Sequence, residues 1–267
     1  MSGASDRRGL HVEVQGAGPD VVLVHGWGLH GGIWDRVAEH LSTAHRVVRV
    51  DLPGHGYSGP LDGEYTVDTL ATRLCEELAD TLASPAIWLG WSLGGLVALA
   101  VALRRIDLVR AVVLVAATPR FITAPGWAHG VKPGVLDEFA TALAQDYRGT
   151  LLQFLTLQTV FSEHARDEIR YLRSKVFERG EPHPQALYGG VEVLKSADLR
   201  AQLSALACPL FLLGGERDTL APPQALQQVA TLVPSARVAI LRGASHAPFL
   251  SDPDAFNTQI DAWLANV

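Results

Sequence analysis

Six short runs of β-branched and aliphatic residues, interleaved with longer amphipathic stretches, constrain this chain more than any other feature. The runs are Val21–His25, Arg46–Asp51, Ile87–Gly90, Ala111–Ala116, Leu210–Gly214 and Arg237–Leu241. Each is almost continuously apolar, as a strand covered on both faces must be. Helical patterns occupy Thr66–Leu82, Leu93–Arg104, Pro223–Val233 and Asp254–Leu264. Such alternation predicts an α/β fold with a mostly parallel central sheet and helices on both faces. Leu10–Gln15 alternates instead, and is expected to pair antiparallel at one edge.

The alternation stops once. Between about 118 and 206 the only patterns are helical, near Leu136–Tyr147, Leu151–Phe161, Ala165–Phe177 and Pro184–Leu194. The sheet connections elsewhere are far shorter. An insertion of this size predicts a helical cap, 118–206, on a core formed by 1–117 and 207–267. With 48% hydrophobic residues over 267 positions, the chain can bury a sizeable core, which excludes global disorder. No run reaches the roughly 18 uncharged apolar residues of a membrane helix. The first residues lack the apolar centre of a signal peptide, so a cytoplasmic location is expected. A net charge of −6 argues against nucleic acid as the main partner. Cys75 and Cys208 alone form neither a metal-ligand nor a disulfide pattern.

Gly90-Trp91-Ser92-Leu93-Gly94-Gly95 joins a predicted strand to a predicted helix. A lone Gly-x-Ser-x-Gly is a weak signal; in a strand–turn–helix setting it is a strong one. Small residues on either side let the flanking chains approach where the serine backbone is strained. The helix then aims its amides and positive dipole end at the reacting centre. A serine hydroxyl needs a base, and the base an orienting acid. In the chain order of such sites, the acid and then the histidine follow the serine. Two later strand ends offer Gly215-Glu216-Arg217-Asp218 and Gly243-Ala244-Ser245-His246. His246 is therefore the expected base and Asp218 its partner; the loop after Asp218 suits it better than the rival Glu216. His55 precedes the serine and reads as structural. The oxyanion donors are expected at the Leu93 amide and, in His25-Gly26-Trp27-Gly28, the Trp27 amide. All acid–base and electrostatic terms come from side chains and amides, so neither metal nor organic cofactor is expected.

With HGWG (25–28), DLPGHGYS (51–58), GWSLGG (90–95), GERD (215–218) and SHAPF (245–249), the chain resembles the α/β-hydrolases over nearly its whole length. The cap stretch Phe154-Leu155-Thr156-Leu157-Gln158 brings it closer to one family, the pimeloyl-acyl-carrier-protein methyl ester esterases of biotin synthesis. That resemblance implies a serine carboxylesterase that removes the methyl mask from a carrier-bound dicarboxylate, with Ser92, Asp218 and His246 as triad. It also implies Trp27 and Leu93 at the ester oxygen and Phe154 to Gln158 along the acyl channel. The partner would be an acyl-carrier protein, and a monomer is the default.

A carrier protein is acidic, so a basic docking face is expected. Residues 120–200 hold 10 basic and 10 acidic side chains; the remaining 12 and 18 carry the whole net charge. Arg166, Arg170 and Arg173 fall on one helical face, although Glu163 and Asp167 are placed to pair with the first two. Other chemistries on the same scaffold would be short-chain ester or lactone hydrolysis, or carbon–carbon bond hydrolysis. A non-catalytic receptor is disfavoured by the complete set of three side chains.

Overall fold

The computed structural model describes residues 9–159 and 161–267. Seven strands form one sheet: β1 (Val12–Gln15), β2 (Asp20–Val24), β3 (Arg46–Val50), β4 (Ala86–Trp91), β5 (Val109–Val115), β6 (Leu210–Gly215) and β7 (Arg237–Leu241). Their order is β1-β3-β2-β4-β5-β6-β7, with only the β1–β3 pair antiparallel. The expected edge strand and the six core strands are all present, with ends shifted by up to two residues. β2 and β4 are buried at every position, which explains why their sequences do not alternate.

The helices are α1 (Asp35–Leu41), α2 (Val67–Leu78), α3 (Leu93–Arg104), α4 (Pro133–Gln145), α5 (Tyr147–Leu157), α6 (Ala165–Lys175), α7 (Pro184–Ser196), α8 (Pro223–Leu232), α9 (Pro248–Ser251) and α10 (Pro253–Leu264). α1 and α9 are not anticipated by the sequence pattern; seven and four residues are too few to display a 3.6-residue period. α2 is set by a reciprocal Thr66–Thr69 capping box and a buried stripe of Leu70, Ala71, Leu74 and Leu78. α3 is apolar almost all round and buried through ten consecutive positions, so it lies inside the molecule rather than on it. None of the described helices is long and apolar enough to cross a membrane.

α4 to α7 form the insertion between β5 and β6. It is tied to the rest of the chain by polar contacts. The Trp27 indole N–H donates to the Leu187 carbonyl at 2.9 Å, the His183 amide to Gly54 at 2.7 Å, and the His30 ring to Lys175 at 2.7 Å. The deepest tie is ionic. Arg179 lies 3.3 Å from Asp51 and 2.8 Å from Glu13, with its guanidinium over the Tyr57 ring. The Asp51 side chain is fully buried and also accepts the Gly31 and Tyr57 amides, at 2.6 and 2.9 Å. Arg179→Met would leave that charge without its counter-ion. The expected loss of unfolding free energy is about 3 kcal/mol, read by urea titration; a loss below about 1 kcal/mol would mean that water already screens Asp51.

Candidate active site

The strand ends converge at Ser92. Its backbone, at φ 54° and ψ −120°, is one of two described non-glycine residues with positive φ. Strain of this kind costs about 1–3 kcal/mol and survives only where the surroundings enforce it. Here they do. The Ser92 amide donates to Val115, and the Ser92 carbonyl accepts the Gly95 and Leu96 amides. A Cβ at Gly90 would stand 2.3 Å from the Gly94 carbonyl oxygen, and one at Gly95 would stand 2.4 Å from the Ala117 methyl. The small residues flanking the serine are therefore a steric requirement of the turn.

Ser92 Oγ lies 3.0 Å from His246 Nε2, and His246 Nδ1 lies 2.8 Å from Asp218 Oδ2. The Asp218 side chain is fully buried. Its other oxygen accepts the Leu220 and Ala221 amides at 2.8 and 3.0 Å, which holds the carboxylate in place. Nδ1 must then carry the proton it gives to Asp218, leaving Nε2 free to accept from the serine. His246 is held through its backbone as well: its amide donates to the Gln158 carbonyl at 3.2 Å, and its carbonyl accepts the Trp91 indole N–H at 2.7 Å. Glu216, the rival acid, is exposed and accepts the Gly243 amide at 2.9 Å, tying together the loops that bear Asp218 and His246.

Leu93 opens α3, and the loop after β2 presses against it: a Cβ at Gly94 would meet the Val24 and His25 carbonyl oxygens at 2.4 Å. Among the described residues, neither the Trp27 nor the Leu93 amide has an acceptor. Two buried histidines hold this loop. His25 donates from Nδ1 to Gly26 at 2.8 Å and accepts the Leu52 amide on Nε2 at 2.8 Å. His55 donates from Nδ1 to Pro53 at 3.2 Å and accepts the Gly28 amide on Nε2 at 3.3 Å. Both rings need a bare nitrogen for these contacts, so both are neutral. Burial drives the His25 pKa well below its ordinary value and that of His55 down to about 4. His55 is a strut, as the sequence order suggests, and has no free nitrogen with which to act as a base.

Ser92 opens on a narrow apolar slot, also lined by Phe121, Val131, Leu136, Phe154, Leu194 and Leu220. Phe154 stands edge-on to Trp27, ring centroids 5.2 Å apart, with Phe139 completing the trio. A second cleft, at the opposite ends of β6 and β7 near Arg237 and Trp263, is remote from these groups.

The five-residue stretch 154–158 does not line the slot as a unit. Phe154 does, whereas Leu155 is buried in the core, Thr156 back-bonds to Leu152 and Leu157 is 56% exposed. Consecutive residues of a helix point about 100° apart, so five in a row cannot share a wall. Gln158 is buried, and its contact with the site is its carbonyl on His246. The other lining residues were not anticipated. Phe121 and Val131 follow β5 and Leu220 follows Asp218, so their places after strand ends were the available signal. Arg166, Arg170 and Arg173 are exposed on α6, away from the slot. Arg170 pairs with Asp167, but Glu163 turns to Arg217 instead of Arg166, because α6 begins only at Ala165.

Comparison with known proteins agrees with this fold. A family model described as the α/β hydrolase fold matches residues 19–253. A pimeloyl-acyl-carrier-protein methyl ester esterase of Xanthomonas oryzae pv. oryzae is 41% identical over 262 residues, 97% of this chain and 100% of that protein. The same-named protein of Vibrio vulnificus is 39% identical over 251 residues, 94% of this chain and 96% of its own. Among solved structures, an esterase from Exiguobacterium antarcticum superposes with a TM-score of 0.87 at 21% identity, covering 96% of both chains. An enol-lactonase from Burkholderia xenovorans does so with a TM-score of 0.80 at 24% identity, again over 96% of both. These last two share the fold. The chain belongs to the α/β-hydrolase family and, within it, to the pimeloyl-acyl-carrier-protein methyl ester esterases.

Proposed function

We propose that this chain is a serine carboxylesterase that hydrolyses the methyl ester of a pimeloyl group carried on an acyl-carrier protein, in biotin precursor synthesis. The observation that carries the reading is the hydrogen-bonded line Ser92–His246–Asp218 opening on an apolar slot beneath the insertion. Ser92 Oγ attacks the ester carbonyl while His246 Nε2 takes its proton. The charge that develops on the carbonyl oxygen falls to the Trp27 and Leu93 amides, which have no other acceptor among the described residues. As the carbon–oxygen bond breaks, His246 returns the proton to the departing methoxide and methanol leaves. A water, deprotonated by the same nitrogen, then cleaves the acyl-enzyme to the free carboxylate and Ser92. Asp218 stabilises the imidazolium in both halves.

In this reading the insertion, residues 118–206, is a cap on the core. The slot between them takes the methylene chain, which is apolar and needs no charged partner. Phe154 bridges the slot and the Trp27 loop, so a chain bound against it also presses the oxyanion amide into place. The carrier docks on α6 through Arg166, Arg170 and Arg173; among the described residues the first and last have no acidic partner. Purified protein given the carrier-bound methyl ester should release methanol, and Ser92→Ala should not. Reversing all three arginines to glutamate should raise KM for that substrate by about tenfold and weaken its salt dependence, with a small p-nitrophenyl ester unaffected. Equal KM for wild type and triple variant would remove α6 as the docking face.

A further inference from the structure

His246 reaches Ser92 from far across the sheet. Its turn follows β7, and β5 and β6 lie between β7 and β4, the strand that delivers the serine. At about 4.8 Å per strand, that turn leans roughly 14 Å over the strand ends. β4 does not pair with β7, so side chains must close the span. The one that does so from the sheet is Trp91, the last residue of β4 and the chain neighbour of Ser92. Trp91 is fully buried, and its indole N–H donates to the His246 carbonyl at 2.7 Å. The bond holds the peptide from which the imidazole hangs.

The indole is itself held on several sides. Gly26 backs the edge of the ring remote from the N–H: a Cβ there would stand 2.9 Å from Cε3 and 3.2 Å from Cζ3. Gly26 is anchored in turn, since its carbonyl accepts the His25 ring N–H and the Leu29 amide. Phe249 stands edge-on to the indole, ring centroids 5.2 Å apart, and lies against Trp34 at 4.5 Å. The imidazole of His246 lies beside the indole, centroids 5.8 Å apart.

We infer that Trp91 is a positioning residue for the base: its indole, backed by Gly26 and Phe249, is a rigid spacer whose N–H sets the His246 turn, and with it Nε2, against Ser92. The inference rests on the reading of His246 as the base. The turn has another hold, the Gln158 carbonyl on the His246 amide, but that one belongs to the insertion. Trp91 is the hold that the sheet supplies, whatever the insertion does. Tryptophan suits the task because it joins a flat, stiff, apolar body to a single donor at its far edge, with no acceptor to compete. Phenylalanine would fill part of the space and leave the turn free to drift, and a drift of about 1 Å at a reacting group costs on the order of 100-fold in rate.

The test uses a p-nitrophenyl butyrate assay of the full chain, which needs no carrier. Trp91→Phe should lower kcat by about 10- to 100-fold with KM within about threefold of wild type. Replacement of Trp91 by 3-benzothienylalanine, which keeps the shape and puts sulfur in place of the N–H, should lower kcat by a similar factor. Thermal unfolding of each variant separates misfolding from misalignment, and the isosteric replacement stands in if Trp91→Phe does not fold. In a His246→Ala background no imidazole remains to be aimed, so Trp91→Phe should change the residual single-turnover rate by less than about twofold. Wild-type kcat in the folded isosteric variant would overturn the inference, as would a Trp91→Phe loss that persists in full without His246. Wild-type protein lacking Ser92-dependent hydrolysis would instead overturn the esterase reading.

Discussion

Alanine at Ser92 should lower kcat for ester hydrolysis by roughly 10⁶-fold, and alanine at His246 by a similar amount. In the proposed mechanism the two residues, 3.0 Å apart, share one proton transfer, so the double variant should be no worse than either single one. Asp218→Asn should cost about 10⁴-fold. The amide would present its NH₂ or its carbonyl to Nδ1, and either choice disturbs an arrangement in which the other carboxylate oxygen already accepts two amides. An acceleration of about 10³–10⁴ over water should survive in all of them, because the proposed oxyanion donors, the Trp27 and Leu93 amides, are backbone groups and remain. Single-turnover measurement with a chromogenic ester, after titration of active sites to exclude traces of wild type, checks all four variants. Full additivity in the double variant would mean that Ser92 and His246 act in separate steps.

The juxtaposition of Ser92, His246 and Asp218 was legible in the sequence because each of the three sits where backbone geometry restricts residue choice. Gly90, Gly94 and Gly95 are forced by contacts of 2.3 to 2.4 Å, and a forced glycine leaves a mark in the sequence. Gly215 does the same for the turn of His246, since its Cβ would stand 2.1 Å from the Ser245 carbonyl oxygen. The slot left no such mark. Phe121, Val131, Leu136, Leu194 and Leu220 come from separate segments, and each is an apolar residue of a kind that cores also use. Their convergence depends on how α4, α5 and α7 pack, and a single sequence does not encode packing angles in any local pattern.

Gly94→Ala tests the oxyanion geometry at a point no side chain reaches. The added methyl would meet the Val24 and His25 carbonyl oxygens, both at 2.4 Å. Neither can swing away: Val24 lies in the fully buried β2, and the His25 ring is locked by Gly26 and Leu52. Relief must come from moving the start of α3 away from the loop after β2. That motion separates the Leu93 amide from the Trp27 amide, while Asp218 and His246 are held from β6 and β7 and keep their mutual contact. The expected outcome is a folded protein destabilised by about 3–5 kcal/mol, with kcat lowered by a further 10²–10³-fold that stability does not explain. Measuring kcat well below the melting transition isolates the second effect. A transition-state mimic with a tetrahedral oxyanion, such as a trifluoromethyl ketone, should lose affinity in parallel with kcat, whereas substrate KM should change little. If the mimic binds Gly94→Ala as tightly as it binds wild type, the two amides do not form the oxyanion site, and the developing charge must be met elsewhere.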